Sequence, residues 1–224
     1  MTNILKNIFS IQFVTEFVGT ALLLAVVTGS GMMGETLGAG NAAVALLGNS
    51  IATGCGLYVL ITLLAPISGA HFNPVVSLMF WRMGALDLRL LYIYVCAQFL
   101  GAILGVWLTH VMFGLPILQQ SDNVRNGVGI WTSEFISTLV LLGVIYLGIK
   151  VAKDKIAMLV ALTVTAGYWF TSSTFFANPA VTIARSLTDT FVGIAPEDVL
   201  GFVVAQLLAL AVLCACLTAF KGQK

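Results

Sequence analysis

Charge is what this chain has least of. Ten Lys and Arg and nine Asp and Glu stand among 224 residues, 8% in all. A soluble domain carries about a quarter of its residues charged, so an ordinary water-facing surface is excluded. Histidine occurs twice and cysteine four times, which leaves little for a metal centre or a nucleophile–base pair, and neither an enzyme nor a cofactor is expected. Cys55, Cys96, Cys214 and Cys216 all fall inside apolar runs and read as small core residues rather than disulfides or metal ligands. A net charge of +1 provides no basic surface for nucleic acid. Proline is scarce as well, at five, so little interrupts helix formation. No small-residue cleavage site follows Lys6, and Glu16 interrupts the first apolar run, so that run is not expected to be a signal peptide.

What is there is apolar: 59% of the chain. Runs of about 20 such residues follow one another, each long enough to cross ~30 Å of hydrocarbon. Spanning helices are expected at 11–33, 42–65, 87–113, 130–150, 156–175 and 197–220. Lys6, Arg82, Arg89, Lys150, Lys153, Lys155, Lys221 and Lys224 then share one face, and only Arg125 and Arg185 fall on the other. The excess of positive charge marks the cytoplasmic side, so both termini are expected there, in a multi-pass protein of the inner (plasma) membrane.

The chain also repeats itself. Thr15-Glu16-Phe17-Val18-Gly19-Thr20 returns as Ser133-Glu134-Phe135-Ile136-Ser137-Thr138, Asn73-Pro74-Val75 as Asn178-Pro179-Ala180, and Ala97-Gln98-Phe99-Leu100 as Ala205-Gln206-Leu207-Leu208. Each half holds three spans, an odd number, so the second half must insert upside down. The expected architecture is an all-α membrane protein: six transmembrane helices plus two re-entrant half-helices in an inverted 3+3 repeat. Residues 1–224 form one domain, with repeats of approximately 1–113 and 124–224.

Proline suits the first turn of a helix and asparagine caps it, so half-helices are expected from Pro74 to about Met83 and from Pro179 to Leu187, with the second span ending after Pro66. Their N-termini, each worth about +0.5 charge, would meet near the midplane and repel cations. Asn73 and Asn178 are the midplane donors. The carbonyls of Gly69, Ala70 and His71, and of Thr174, Phe175 and Phe176, are expected along the wall, because non-helical backbone at that depth persists only in protein or beside a wet cavity. Glu16 and Glu134 either support the two re-entrant loops or relay protons. Gln98 and Gln206 read as polar contacts between spans. His71 is a wall residue or a pH gate, and His110 an interfacial one.

Ser68-Gly69-Ala70-His71-Phe72-Asn73-Pro74-Val75 and Asn178-Pro179-Ala180, with Glu16, Glu134, Gln98 and Gln206, resemble the aquaporin and glycerol-facilitator family over essentially the whole chain. The resemblance implies a passive channel for small neutral solutes in the lipid bilayer, with one pore per subunit of a homotetramer. The first motif has Val75 where alanine is usual. More consequentially, the arginine that normally follows the second Asn-Pro-Ala is Val181. By spacing from the motifs, the other filter positions fall at Thr53, Ala166 and Phe175, which predicts a wide, rather apolar filter. Arg185, one turn beyond Val181, either lines the outer mouth, bends back toward the filter, or pairs with Asp189. The Val181 and Arg185 pattern resembles members associated with arsenic resistance, which adds arsenite or organoarsenicals to water and glycerol-like polyols. The alternative is an ion- or proton-coupled secondary transporter, since inverted repeats and broken helices occur there too.

Overall fold

In the computed structural model, which describes the backbone of residues 3–221 and the side chains of 11–219, the described residues form eight α-helices and one 3-10 turn. They are α1 (Asn3–Gly38), α2 (Ala42–Ser68), α3 (Pro74–Arg82), α4 (Leu88–Met112), α5 (Val128–Val151), α6 (Ile156–Phe170), α7 (Pro179–Arg185) and α8 (Pro196–Lys221), with the turn at Lys153–Lys155 before α6. Five of them are long and apolar enough to cross a bilayer: Ile11–Gly38, Ala42–Ser68, Leu88–Met112, Val128–Val151 and Pro196–Ala219. Lys6, Lys221 and Lys224, three of the charges that orient the chain, lie outside the residues whose side chains are described.

The two halves pack alike. α1 lies against α2 and α4, and α5 against α6 and α8; α2 on α6 joins the halves. The half-helices cross over, α3 touching α4 and α8, and α7 touching α8 and α4. Small residues set the closeness of α1 and α4: a Cβ on Gly101 would stand 2.3 Å from the Phe17 carbonyl oxygen, and one on Gly105 2.2 Å from that of Ala21. Only glycine admits backbones so near each other.

Three expectations need correcting. The fifth expected span, 156–175, is helical only over its first 15 residues, Ile156–Phe170, because the chain from Thr171 onward is extended and re-enters the protein. α2 does not stop at Pro66 but runs to Ser68. A proline in the last turn forgoes one bond without ending the helix, and Gly69, left-handed at φ 89°, supplies the stop with its N–H on the Ala65 carbonyl. The cysteines are not core residues: Cys55, Cys96 and Cys216 are exposed on outer helix faces and Cys214 is half-buried. Helices apolar all round give no sequence cue to which face is inside.

Candidate functional site: a cavity between two half-helices

α3 and α7 start as the sequence requires. Asn73 and Asn178 hold extended backbone, and each side-chain oxygen accepts from the first turn: Val75 N–H at 3.0 Å for Asn73, Ala180 N–H at 3.0 Å and Val181 N–H at 3.3 Å for Asn178. The amide nitrogens reach across. Asn73 Nδ2 donates to the Ala177 carbonyl at 2.7 Å, and Asn178 Nδ2 to the Phe72 carbonyl at 2.8 Å. This reciprocal pair clamps the two N-termini face to face in the protein interior. Each amide has two hydrogens, so one per asparagine remains for a ligand.

The segments leading into both caps are strained in the same way. The fourth, third and first residues before each asparagine have positive φ: Gly69 at 89°, Ala70 at 51° and Phe72 at 48°, then Thr174 at 59°, Phe175 at 56° and Ala177 at 47°. Left-handed backbone costs a non-glycine residue about 1 kcal/mol or more, so the surroundings must over-determine it. They do so through the buried glutamates. Glu16 accepts from Ser68 Oγ at 2.6 Å, His71 N–H at 3.0 Å, Phe72 N–H at 2.8 Å and Gln98 Nε2 at 2.9 Å. Glu134 accepts from Ala177 N–H and from Gln206 Nε2 at 2.8 Å. Each glutamine also donates to the hydroxyl one turn into its half-helix, Gln98 to Ser77 and Gln206 to Thr182, both at 2.9 Å. The glutamates thus hold re-entrant backbone in place, and the glutamines tie it to α3 and α7. A ring helps: the Phe72 side chain fills the space that a Cβ on Gly19 would enter at 2.0 Å.

With the backbone so held, none of the carbonyls of Gly69, Ala70, His71, Thr174, Phe175 and Phe176 accepts a hydrogen bond from another described residue. Buried carbonyls are nearly always satisfied, so a run of bare ones marks a wet surface. All but Thr174 border one cavity of about 670 Å³. It extends from Lys153 and Asp154 at one end, past Asn73 and Asn178, to Arg185 at the other. The facing wall is apolar, with Leu23, Val27, Leu57, Ile61 and Leu141 among its residues.

Of the four expected filter residues, Thr53, Phe175 and Val181 line this cavity. Ala166 does not: it is exposed on the outer side of α6. Tyr168, 4% exposed, stands on the inner side, its hydroxyl 3.2 Å from Thr53 Oγ1. Two residues shift a helix by about 200°, to the opposite face. Arg185 is 2% exposed and borders the cavity. It does not pair with Asp189; its Nε donates to the Val192 carbonyl, and its guanidinium carbon lies 3.5 Å from the centre of the Phe176 ring. His71 also borders the cavity, its Nδ1 3.1 Å from Ser77 Oγ and its ring stacked on Phe80 at 4.4 Å. His110, expected at an interface, is fully buried, with Nδ1 2.8 Å from the Ile117 carbonyl and Nε2 2.8 Å from Thr188 Oγ1. It fixes the connection after α4 to the one after α7.

A clamped pair of helix N-termini, a file of unsatisfied carbonyls and an apolar wall along one passage belong to a membrane channel. The chain is a member of the major intrinsic protein family, whose model matches residues 4–171. The match ends at Thr171, so Val181 and Arg185 lie beyond it. Over 195 residues the chain is 52% identical to the aquaglyceroporin AqpS of Rhizobium meliloti, covering 87% of this chain and 83% of that protein. A glycerol uptake facilitator protein of Pseudomonas aeruginosa is 35% identical over 118 residues, 52% of this chain and 41% of that one. The X-ray structure of the aquaglyceroporin from Plasmodium falciparum superposes with a TM-score of 0.71 over 92% of this chain and 94% of that one; at 24% identity the likeness is one of fold.

Proposed function

We propose that this protein is a passive transmembrane channel for small neutral solutes, water and glycerol-like polyols first among them. The observation that carries the reading is the reciprocal bonding of Asn73 and Asn178 across the cavity. A solute oxygen at that point accepts from the spare amide hydrogens, while the carbonyls of Gly69, Ala70 and His71 on one side, and Phe175 and Phe176 on the other, accept from its hydroxyls; Thr174, expected among them, does not border the cavity. The two helix N-termini repel cations there, and the apolar wall offers an ion no replacement for its hydration shell.

The filter in this reading comprises Thr53, Tyr168, Phe175, Val181 and Arg185. The cation sits one turn beyond its usual place and against a wall, which leaves room for solutes broader than water. Neutral arsenite and small organoarsenicals belong to the same proposal, as uncharged polyhydroxylated or compact molecules of that size. The similarity to a protein named an aquaglyceroporin supports the polyol assignment. Residues 1–224 form one channel domain of two inverted repeats, in the inner membrane with both termini cytoplasmic, a reading that the distribution of Lys and Arg supports. Four copies assemble as a homotetramer; lipid-exposed apolar side chains such as Leu63, 65% exposed, and Leu162, 60% exposed, leave ample surface for that contact.

Stopped-flow light scattering on one proteoliposome preparation with water, glycerol and arsenite tests the proposal. Non-saturating flux of water and glycerol above protein-free vesicles is expected. Flux that saturates at low concentration and follows an imposed proton or sodium gradient would replace the channel with a coupled transporter.

A further inference from the structure

The segment Phe191–Gly193, between α7 and α8, offers three consecutive carbonyls, and two arginines divide them. Arg185 takes the middle one, Val192, through Nε. Arg125, in the connection between α4 and α5, takes the flanking two: its Nε donates to Gly193 at 2.7 Å and its Nη2 to Phe191 at 3.3 Å. Both guanidinium groups lie over the same ring, Phe176, with carbon-to-centroid distances of 3.5 Å for Arg185 and 5.5 Å for Arg125. Arg125 is itself anchored, since its backbone N–H donates to Asp198 Oδ2 at 2.6 Å and the Asn126 amide donates to Oδ1 at 3.0 Å. Gly193 has no slack either: a Cβ there would stand 2.2 Å from Ser121 Oγ. Arg125 borders a separate outer cleft with Glu35 and Asp189 and is not among the residues lining the main cavity.

We infer that Arg125 is a positioning residue for the filter: by fixing the Phe191–Gly193 carbonyls it keeps Arg185 drawn back against Phe176 and the passage wide enough for a polyol. Two neighbouring cations repel each other, so they stay together only while backbone oxygens and the ring face offset the repulsion. When Arg125 is removed, the Val192 carbonyl is no longer held in place. The untethered Phe191–Gly193 turn then draws away with all three of its carbonyls; a buried guanidinium without an acceptor is costly, so Arg185 turns to the water and bare carbonyls of the lumen. That narrows the passage. The inference rests on the filter reading of Arg185 above.

The test compares full-length wild type, R125A, R125K, R185A and R125A/R185A in proteoliposomes, reading the ratio of glycerol to water permeability. A ratio cancels the number of folded channels, so lost protein alone does not move it. R125A is expected to lower the ratio by about three- to tenfold, the effect of losing one or two hydrogen bonds' worth of positioning. R125K keeps the charge but cannot span two carbonyls in a fixed fork, so it shifts the ratio the same way. R185A raises the ratio, and adding R125A to it changes nothing further. A wild-type ratio in R125A or R125K, or an equal shift from R125A in both backgrounds, overturns the inference. An unchanged ratio in R185A sinks the filter reading itself.

Discussion

The first and second re-entrant segments are built on one plan and finished differently. Two residues before each asparagine stands an aromatic ring, His71 in the first segment and Phe176 in the second; seven residues after it stands the group stacked on that ring, Phe80 in the first and Arg185 in the second. Both pairs border the cavity, at 4.4 Å for the two rings and 3.5 Å for the guanidinium over phenyl. Equivalent slots therefore hold a stack at each end of the passage, but only the stack on Phe176 carries a permanent charge. In the channel reading proposed above, the repeat supplies the architecture of the pore and selectivity enters through side chains that break the repeat.

The supports differ as well, and this difference gives the largest expected effect. Glu16 uses both oxygens for four bonds, whereas Glu134 Oε2 is buried without a partner among the described residues. Glu16→Ala strands two backbone N–H groups and a glutamine, and should lower stability by about 4 kcal/mol at roughly 1–3 kcal/mol per buried unsatisfied group. Glu134→Ala should cost about half as much on the same scale. Melting of the two variants in detergent, followed by water flux in vesicles, checks the order; equal losses would mean that the hydrogen-bond asymmetry has no energetic weight.

A smaller effect comes from Gly19 and its counterpart Ser137. Gly19→Ala drives a methyl into the Phe72 ring and should destabilise by about 2 kcal/mol, as overpacking does. Ser137→Ala removes a hydroxyl bonded to the Ser133 carbonyl of its own helix at 2.8 Å and should cost under about 1 kcal/mol. Thermal melting distinguishes them, and a ranking in the opposite order would show that the second segment is the tighter of the two.

The remaining change concerns permeation rather than stability. Val181→Arg places a second cation beside Arg185 on the cavity wall and should cut glycerol flux about tenfold, an extra barrier of ~1.4 kcal/mol, while water flux falls less. Equal loss of both fluxes, or none, would put the constriction elsewhere in the passage.

Much of this molecule is written locally in its residues. An apolar run long enough to span, an asparagine before a proline and a glycine where two backbones cross each act over a few neighbours, so helix positions, both caps and the pairing of the halves could be read directly. Glu16 and Glu134 as loop supports were legible for a related reason: a carboxylate in an apolar span needs donors, and a re-entrant loop has spare ones. Which face a residue presents was not legible. Ala166 and Tyr168 are two positions apart on α6, and the helix's phase there depends on where the extended segment begins, which packing decides. The same holds for the cysteines on helices that are apolar all round.

The sequence by itself determined a membrane chain of two repeats with a capped half-helix in each, because those features depend on composition and short-range backbone preference. Only the tertiary structure decided that Tyr168 and not Ala166 meets Thr53, that Arg185 leans on Phe176 and Val192, and that Arg125 reaches the same segment from the connection between the halves. Those contacts join residues from separate elements, and side-chain direction across such gaps is settled by how the helices pack.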